Sequence, residues 1–422
     1  MTVLPLRERA KELFGAAVAA ADPSRAVRHH LTSHPLPSSD SRGKVHLIAI
    51  GKAAIAMTKE ALTHVNSDTL GQACAVTNYE NATEIQGVDV FSAGHPVPDE
   101  NGQKAAAHII DILGASKPED MILALISGGG SALAPAPTSP LTLEDKAQTN
   151  QVLLSNGYDI SEMNLIRQAL SDLKGGGLVR LANAQTIRAL IISDVIGDNL
   201  SVIASGPTTP PLGSRQDAAT LLQERGHWTL LPESVRRVLS TPRSSESGTS
   251  SAADNHLICS NQQSLEAVVS AGTDLPARVI DGQLQGDVSD AAEQIARTIK
   301  ESDLQKPQCF VWGGETTVSL KGNGAGGRNQ ELALRVAENL SDLSGTWVFL
   351  SGGTDGRDGP TDAAGGLVDN QTLARLDTAG VSLKALLDNN DSYAALKASG
   401  DLLVTGATGT NVADVQIFVY AP

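Results

Sequence analysis

Short apolar runs alternate with amphipathic segments along most of this 422-residue chain. The amphipathic segments place apolar residues at helical spacing, as in 53–65 and 144–156. Such alternation is typical of parallel βαβ units, and strands that are apolar throughout fit a sheet covered by helices on both faces. The first part of the chain is therefore predicted to be an α/β domain with buried strands at 45–50, 73–76, 88–93, 121–127 and 187–193.

A serine-rich segment with few apolar residues, 240–255, interrupts this pattern. It has too little apolar surface to bury, so we expect a flexible link. The gap between the apolar runs 308–314 and 316–320 is too short for a helix, so the domain that follows is predicted to contain some non-parallel pairing. The predicted strands of this second α/β domain are 256–260, 277–281, 308–314, 316–320, 347–353, 402–406 and 416–420.

The chain therefore divides into two predicted domains, 1–239 and 256–422, joined by the serine-rich link. An amphipathic helix is predicted over residues 5–21. Its pattern does not decide which domain it packs on, so residues 1–43 are assigned to the first domain but could pack on the second.

Composition narrows the function classes. The formal net charge of −15 argues against nucleic-acid binding and against a polybasic membrane contact. The first 22 residues lack the apolar centre of a signal peptide, and no run of about 18 apolar residues occurs anywhere. The cysteines have no metal-type spacing and are expected to be reduced core thiols: Cys74, Cys259 and Cys309. These features predict a cytoplasmic globular protein.

Glycines cluster where the predicted strands end. In doubly wound sheets, ligands bind outside the carboxyl ends of the strands, where glycine lets backbone N–H groups approach an anion. The loops at these ends carry Lys52 after 45–50, Gly128 to Ser131 after 121–127, Asp194 after 187–193, and Asp355 and Asp358 after 347–353.

Each of these loops has an ordinary explanation: a tight turn, a solvated lysine or an N-cap aspartate. Together, and with the arginine of GAGGRNQE, they supply what phosphoryl transfer requires. Backbone cradles and cationic side chains hold phosphate, and carboxylates bind magnesium.

Other motifs are absent or weak. G-x-G-x-x-G occurs at Gly322, Gly324 and Gly327, but the segment before it is too polar for the central strand of a dinucleotide fold. The chain contains no Walker A motif, no protein-kinase H-R-D or D-F-G element and no G-x-S-x-G nucleophile elbow.

Histidines indicate little. Pro35 and Pro37 argue against a helix that would hold His29, His30 and His34 on one face, so no metal site is predicted there. A further histidine, in AGHPVPDENG, lies in a strand-to-helix loop, where a structural role is the simpler interpretation.

Several long segments in a fixed order resemble the MOFRL-type glycerate 2-kinases, also called type II glycerate kinases. The resemblance covers nearly the whole chain. The segments are GKAA, AGHPVPDENG, LISGGGSAL, LTLEDKAQTNQVLLSNGYDISEMNLIRQALSDLKGGGL, ISDVIGDNLSVIASGPTTP, GGETTVSLKGNGAGGRNQELAL, SGGTDGRDGPTDAAGG and DSYAALKASGDLLVTGATGTNVADVQI.

The resemblance implies a Rossmann-like, doubly wound N-terminal domain and a MOFRL-type α/β C-terminal domain with a mixed sheet. It implies transfer of the γ-phosphate of ATP, with Mg²⁺, to the 2-hydroxyl of D-glycerate in a cleft between the domains. A homodimer is left open.

The resemblance also implies site residues. The family's catalytic lysine and arginine correspond to Lys52 and Arg328, and Asp194 and Asp355 match acidic positions expected to act as magnesium ligands or as the base. Further binding contacts are expected from two loops and from the strand and helix around the arginine: Gly51, Ser127, Gly128, Gly129, Gly130, Ser131, Glu315 and Asn329.

Two alternatives remain. The first is an NAD(P)H-dependent hydroxypyruvate reductase, a label that some family members carry, although no credible nicotinamide site is visible. The second is a non-catalytic protein that binds sugar acids. Aspartates beside glycine loops favour the kinase over the reductase, and the paired cations Lys52 and Arg328 favour catalysis over simple binding.

Overall fold

The computed structural model describes residues 3–37, 43–243, 252–273 and 275–422. The chain forms two compact units. The N-terminal unit is Pro23–Ile258, and the C-terminal unit combines Cys259–Pro422 with the residues up to Asp22, including helix α1 (Val3–Ala20). Each unit is described by itself.

A six-stranded sheet with the order β3-β2-β1-β4-β5-β6 forms the centre of the N-terminal unit. Pairing is parallel from β3 through β5, and this strand order is that of dinucleotide-binding Rossmann folds. The predicted parallel α/β domain is therefore confirmed. The strands are β1 (Val45–Ile50), β2 (Leu70–Asn78), β3 (Asp89–Ala93), β4 (Met121–Ile126), β5 (Thr186–Ile192) and β6 (Asp254–Cys259).

Helices of this unit connect and cover the strands, and residues of β1 and β4 are buried throughout. Capping boxes begin several of them, as at Thr142 and Asp159. The helices are α2 (Pro23–Ser33), α3 (Ala54–Leu62), α4 (Glu100–Ala115), α5 (Gly130–Leu133), α6 (Leu143–Ser155), α7 (Ile160–Ala169), α8 (Gly177–Leu181), α9 (Arg215–Glu224) and α10 (Glu233–Leu239).

The C-terminal unit has a mixed sheet with the order β11-β10-β9-β12-β8-β7. Only the β7–β8 pair is parallel among the pairings recorded for the described residues, so the predicted mixed sheet is confirmed. The strands are β7 (Ala277–Asp287), β8 (Gln308–Thr317), β9 (Thr346–Gly353), β10 (Gly365–Asp369), β11 (Leu402–Leu403) and β12 (Asp414–Ala421).

Helices pack on this sheet, and large aromatic side chains fill its core, among them Phe310, Trp312 and Trp347, each at most 1% exposed. The unit's helices after α1 are α11 (Asn261–Ala271), α12 (Val288–Lys300), α13 (Arg328–Asn339), α14 (Thr372–Thr378), α15 (Leu383–Asp388) and α16 (Ser392–Ser399).

Helix α1 packs on the C-terminal unit, which the sequence left undecided. It buries one apolar stripe that includes Leu13 and Phe14. Arg7 on its polar side reaches the buried carboxylates of Asp369 and Asp401, with nitrogen–oxygen distances of 2.5 and 2.8 Å. Arg375 pairs with the same two carboxylates, so Arg7 joins the helix to a buried ion-pair network of that unit.

Some predictions were wrong. The strand expected to open the second domain at 256–260 is β6, an edge strand of the first sheet, because its backbone pairs with β5. The separate strands expected at 308–314 and 316–320 are one strand, β8, so the antiparallel pairs come from other neighbours. Of the predicted link 240–255, residues 244–251 lie outside the described residues, and Asp254 and Asn255 belong to β6.

The three clustered histidines also differ from expectation. Helix α2 ends at Ser33, before the prolines, so it carries His29 and His30. The ring of His30 stacks on that of His34 with centroids 4.7 Å apart and lies 4.5 Å from that of His256. Across the described residues, no group of three or more His, Cys, Asp or Glu side chains is arranged to hold a metal ion. All three cysteines are free and buried, as predicted.

Candidate functional site

Lys52 lies in the tight loop between β1 and α3 of the N-terminal unit. Its backbone N–H donates to the carbonyl of Gly128 at 2.9 Å, and the next N–H, of Ala53, donates to the hydroxyl of Ser127 at 3.1 Å. Gly51 has φ +133°, and a Cβ there would lie 2.1 Å from that hydroxyl. Only glycine therefore lets the lysine loop join the glycine loop that follows β4.

Asp194 approaches the same glycine loop from the end of β5. A Cβ on Gly128 would lie 1.9 Å from its Oδ2, so the carboxylate occupies the space that any side chain would need. Burial raises the pKa of Asp194, while its own backbone N–H and the positive charge of Lys52 act to lower it. The structure thus brings together three predicted groups: the lysine, the glycine loop and one aspartate.

His95 also lies against the glycine loop, beside Lys52. A Cβ on Gly129, which has φ +83°, would lie 3.1 to 3.3 Å from ring atoms of His95 and from Cγ of Lys52. Burial lowers the pKa of His95, and the charge of Lys52 lowers it further. Sequence reasoning gave this histidine a structural role, whereas the structure places its ring beside the candidate catalytic lysine.

The remaining predicted loop residues serve mainly to hold the loop. Ser127 is 2% exposed, and its hydroxyl is occupied by the lysine loop. A Cβ on Gly130 would lie 2.8 Å from that of Ala204. The hydroxyl of Ser131 pairs with that of Ser205 at 2.7 Å, and its carbonyl accepts from Lys174 at 2.8 Å.

Arg328 begins helix α13 in the C-terminal unit. Its Nε and one terminal nitrogen donate to Asp414 at 2.6 and 3.0 Å, and the other terminal nitrogen lies 2.9 Å from Glu315. Burial by itself lowers the pKa of Arg328, but the hydrogen bonds and charge of Asp414 and the charge of Glu315 raise it above its usual range. The guanidinium is therefore fully charged and held in one orientation.

Asp358 caps the N-terminus of the same helix, α13. Its carboxylate accepts from the backbone N–H groups of Asn329 and Gln330 at 3.2 and 2.8 Å, at the positive end of α13. A Cβ on Gly327 would collide with it at 2.3 Å. Burial raises the pKa of Asp358 to about 6, although these bonds and Arg328 lower it in part.

The other predicted residues of this unit lie around the arginine. Asp355 accepts from the N–H of Arg357 at 3.0 Å, and its Oδ1 lies 3.1 Å from the Cβ position of Gly353. Asp414 approaches that same position within 3.5 Å. Asn329 is 1% exposed and accepts from Ser351 at 2.6 Å, so it positions the helix from inside the core.

Family models match both parts of the chain. Residues 9–240 match a domain described as of unknown function, DUF4147, and residues 308–414 match the MOFRL family. A glycerate 2-kinase of Pyrococcus horikoshii is 38% identical over 99% of this chain and 98% of its own length. A D-glycerate 2-kinase of Thermotoga maritima is 39% identical over 98% of both chains. The chain belongs to the MOFRL-type glycerate 2-kinase family.

A solved structure agrees with this membership. The crystal structure of the Thermotoga maritima glycerate kinase superposes with a TM-score of 0.90 and covers 99% of both chains at 38% identity. A relative from Agrobacterium vitis, 40% identical over 97% of this chain and 93% of its own length, is provisionally named a hydroxypyruvate reductase. The kinase names and this provisional name therefore occur within one family.

Sequence reasoning missed several charged residues around the candidate site. Asp414, which orients Arg328, lies in the family segment TGTNVADVQI. Charged residues are common at strand ends, so its position in the sequence did not distinguish it. A set of cations near Ser131 was also missed. Lys146, Arg167 and Lys174 all lie within the longest quoted segment, so their shared segment was the available signal.

The environment of Asp358 predicts a pH effect on stability. With a folded pKa of about 6 and an ordinary value of 3.8, the folded state binds the proton more tightly. This contribution to the free energy of unfolding is present below pH 3.8 and is lost as the pH rises through about 6. Since one pKa unit corresponds to about 1.4 kcal/mol, we expect a loss of about 3 kcal/mol.

Urea denaturation at pH 4 to 7 checks this, with Asp358→Asn compared with wild type. The variant should lack this component of the pH dependence, whereas Asp377→Asn, an exposed aspartate of the same unit, should keep it. Parallel pH profiles for wild type and Asp358→Asn would contradict the prediction.

Proposed function

We propose that this protein transfers the γ-phosphate of ATP to the 2-hydroxyl of D-glycerate and forms 2-phosphoglycerate. One observation carries the proposal. The cation of Lys52 and the carboxylate of Asp194 both lie at the glycine loop after β4, where Gly128 has no side chain in the way. Phosphoryl transfer is catalysed mostly by positioning and by charge stabilisation, and these groups suit both tasks. The names of relatives that match over the whole chain support the substrate assignment.

Asp194 could serve in either of two roles, as a general base or as a Mg²⁺ ligand. Burial raises its pKa, so its carboxylate is a better proton acceptor than an exposed aspartate and can take the proton from the attacking hydroxyl. The same oxygens can instead ligate Mg²⁺. Lys52, whose charge lies near this carboxylate, would neutralise the transferring phosphoryl group.

Magnesium fits the donor groups present. Mg²⁺ is usually held by one or two carboxylates together with substrate phosphates and water, rather than by a cage of protein ligands. Asp194 and Asp355 are each a candidate for such a carboxylate. When bound, Mg²⁺ would neutralise charge on the phosphate oxygens of ATP.

Arg328 of the C-terminal unit is suited to bind phosphate oxygens. Asp414 holds the plane of its guanidinium, and Glu315 pairs with one terminal nitrogen. In our proposal the phosphate oxygens displace the half-exposed Glu315 while the buried Asp414 stays in place. A cytoplasmic location also remains a prediction.

Product formation separates the kinase from the reductase. Purified protein with D-glycerate, ATP and Mg²⁺ should form 2-phosphoglycerate, identified by phosphorus NMR, and activity should be lost when EDTA removes the divalent cation. NADH with hydroxypyruvate should give no oxidation, because the site combines phosphate-binding groups and the G-x-G-x-x-G at 322–327 follows a segment too polar for the central strand of a dinucleotide fold. Robust NADH turnover by a clean preparation, with no ATP-dependent product, would overturn the kinase assignment.

A further inference from the structure

Three cationic side chains converge on a small pocket of the N-terminal unit. Lys146 comes from α6, Arg167 from α7 and Lys174 from the segment after it. The charges of Lys146 and Arg167 both lower the pKa of Lys174, beyond the larger effect of its burial, so the three lie close enough to repel one another. In a chain with a net charge of −15, three clustered cations need an explanation.

Lys146 has no hydrogen-bond partner among the described residues, although the charge of Asp172 acts on it. Its ammonium nitrogen is buried and makes no hydrogen bond within the described part of the chain, although other atoms of the residue remain partly exposed. Arg167 donates to Asn150 at 2.9 Å, and Lys174 donates to the carbonyl of Ser131 at 2.8 Å. A buried, unpaired ammonium is costly, so an anion that is not part of the chain is the natural partner.

The pocket is small and lies against the glycine loop. Its volume is about 170 Å³, below the range of about 300–1,000 Å³ occupied by drug-sized ligands. Ser131 lines it, three residues beyond the glycine that meets Asp194, and apolar atoms of Pro96 and Val97 form part of its wall. A small acid fits this space, whereas a whole nucleotide does not.

The chemistry of the lining favours a carboxylate. Of the described residues that line the pocket, none is acidic, so the pocket offers no carboxylate ligand for Mg²⁺. A magnesium-bound phosphate would need such a ligand nearby, whereas a metal-free carboxylate needs only cations. Arg167 supplies a planar fork that matches two carboxylate oxygens, and Lys146 supplies a point charge.

We propose that Lys146, Arg167 and Lys174 bind the carboxylate of the hydroxy-acid acceptor and thereby direct its 2-hydroxyl toward the loop of Asp194 and Lys52. The proposal rests on the proposed transfer to a hydroxy acid and adds the residues that select an acid over a neutral alcohol. Loss of a hydrogen bond to a charged group costs enough to lower affinity about 10- to 100-fold.

The test replaces Lys146 by methionine, which keeps the length of the side chain and removes its charge. Lys146→Met should raise KM for D-glycerate about 10- to 100-fold and leave KM for ATP unchanged. D-Glyceramide, in which a neutral amide replaces the carboxylate, should bind wild type and variant equally in calorimetry without ATP. Lys104→Met, at an exposed position of α4, is the matched control and should behave as wild type.

Stability and pH give independent readouts. The Tm of Lys146→Met should equal or exceed that of wild type, because the substitution leaves no buried group unpaired. Burial, helped by Arg167 and opposed by Asp172, lowers the pKa of Lys146 to about 8, and Lys174 is the other charge that faces it. Wild-type kcat/KM for glycerate should therefore fall as the pH rises through about 8, and the variant should lack this fall.

The outcomes are distinguishable. An active wild type together with an unchanged glycerate KM in Lys146→Met and in Arg167→Lys would refute the carboxylate pocket and leave the kinase assignment standing. A raised KM for ATP in place of glycerate would show a phosphate site and also refute it. A wild type that neither binds nor phosphorylates glycerate would refute the proposed function itself. If Lys146→Met fails to fold, Arg167→Lys, which keeps the charge and loses the fork, decides through the glycerate KM.

Discussion

Replacing Lys52 by alanine should lower kcat by about 10²-fold or more, the cost of removing one donor that stabilises transition-state charge. The lysine lies beside the glycine loop and near Asp194, where charge would develop on the transferring phosphoryl group. Nucleotide affinity should change much less. Single-turnover kinetics with saturating ATP and glycerate measures this, and Lys59→Ala, at an exposed position of the following helix, is the matched control.

Arg328→Ala should produce a similar loss of kcat, and Arg328→Lys should remain poor. A single ammonium cannot donate twice to Asp414 and still present a second nitrogen to phosphate. The alanine variant also leaves the buried carboxylate of Asp414 unpaired, which can cost about 3–5 kcal/mol of stability. Activity should therefore be measured well below the Tm of each variant.

The pattern of kinetic constants decides between catalysis and binding. A variant at Lys52 or Arg328 with wild-type kcat and a raised KM would show that the residue contributes only to binding. The catalytic assignment of that residue would then be wrong.

Asp194→Asn should lower kcat by about 10²- to 10⁴-fold, the range for loss of a general base. The amide has the same shape and is neutral, and burial already disfavours the charge of this aspartate, so stability should be unchanged or higher. Asp355→Asn should also reduce turnover strongly. Its amide oxygen can still accept from the N–H of Arg357, so the turn should survive.

Magnesium dependence separates the two roles of these aspartates. A lost ligand should raise the Mg²⁺ concentration needed for half-maximal activity, whereas a lost base should lower kcat at every concentration. Asp362→Asn, in the loop that follows Asp355, provides a comparison with a carboxylate that pairs with Tyr393. Near-normal kcat for both Asp194→Asn and Asp355→Asn at saturating Mg²⁺ would refute their assignment.

Local patterns were enough for much of the fold. Apolar runs predicted β1, β4 and β5 within a residue or two, because strands buried on both faces have a continuous apolar sequence. Strand β10, with the sequence GGLVD, was missed because two of its five residues are glycines with no side chain to form an apolar pattern. Strand β6 was predicted, but its sheet was not, because a strand's own sequence does not name its partner.

Some residues of the candidate site were suggested by the sequence, and others are visible only in the structure. Glycine loops at strand ends made Lys52 and Asp194 candidates, and the structure places both at one loop, because the carboxyl ends of parallel strands share one edge of the sheet. Asp355 and Asp358 lie in the same loop, and the sequence analysis chose Asp355 as the candidate magnesium ligand or base. Only the structure shows that Asp358 is buried beneath a helix N-terminus.

The sequence by itself determined the α/β class, the order of most strands and helices, the family and the loops that carry the candidate chemistry. These follow from periodicity and from the order of local segments. The tertiary structure alone decided where α1 packs, how Asp414 orients Arg328, and that Lys146 lies unpaired beside two other cations. The reason is physical: such pairs join side chains from separate elements, and their distance depends on how the elements pack rather than on their spacing along the chain.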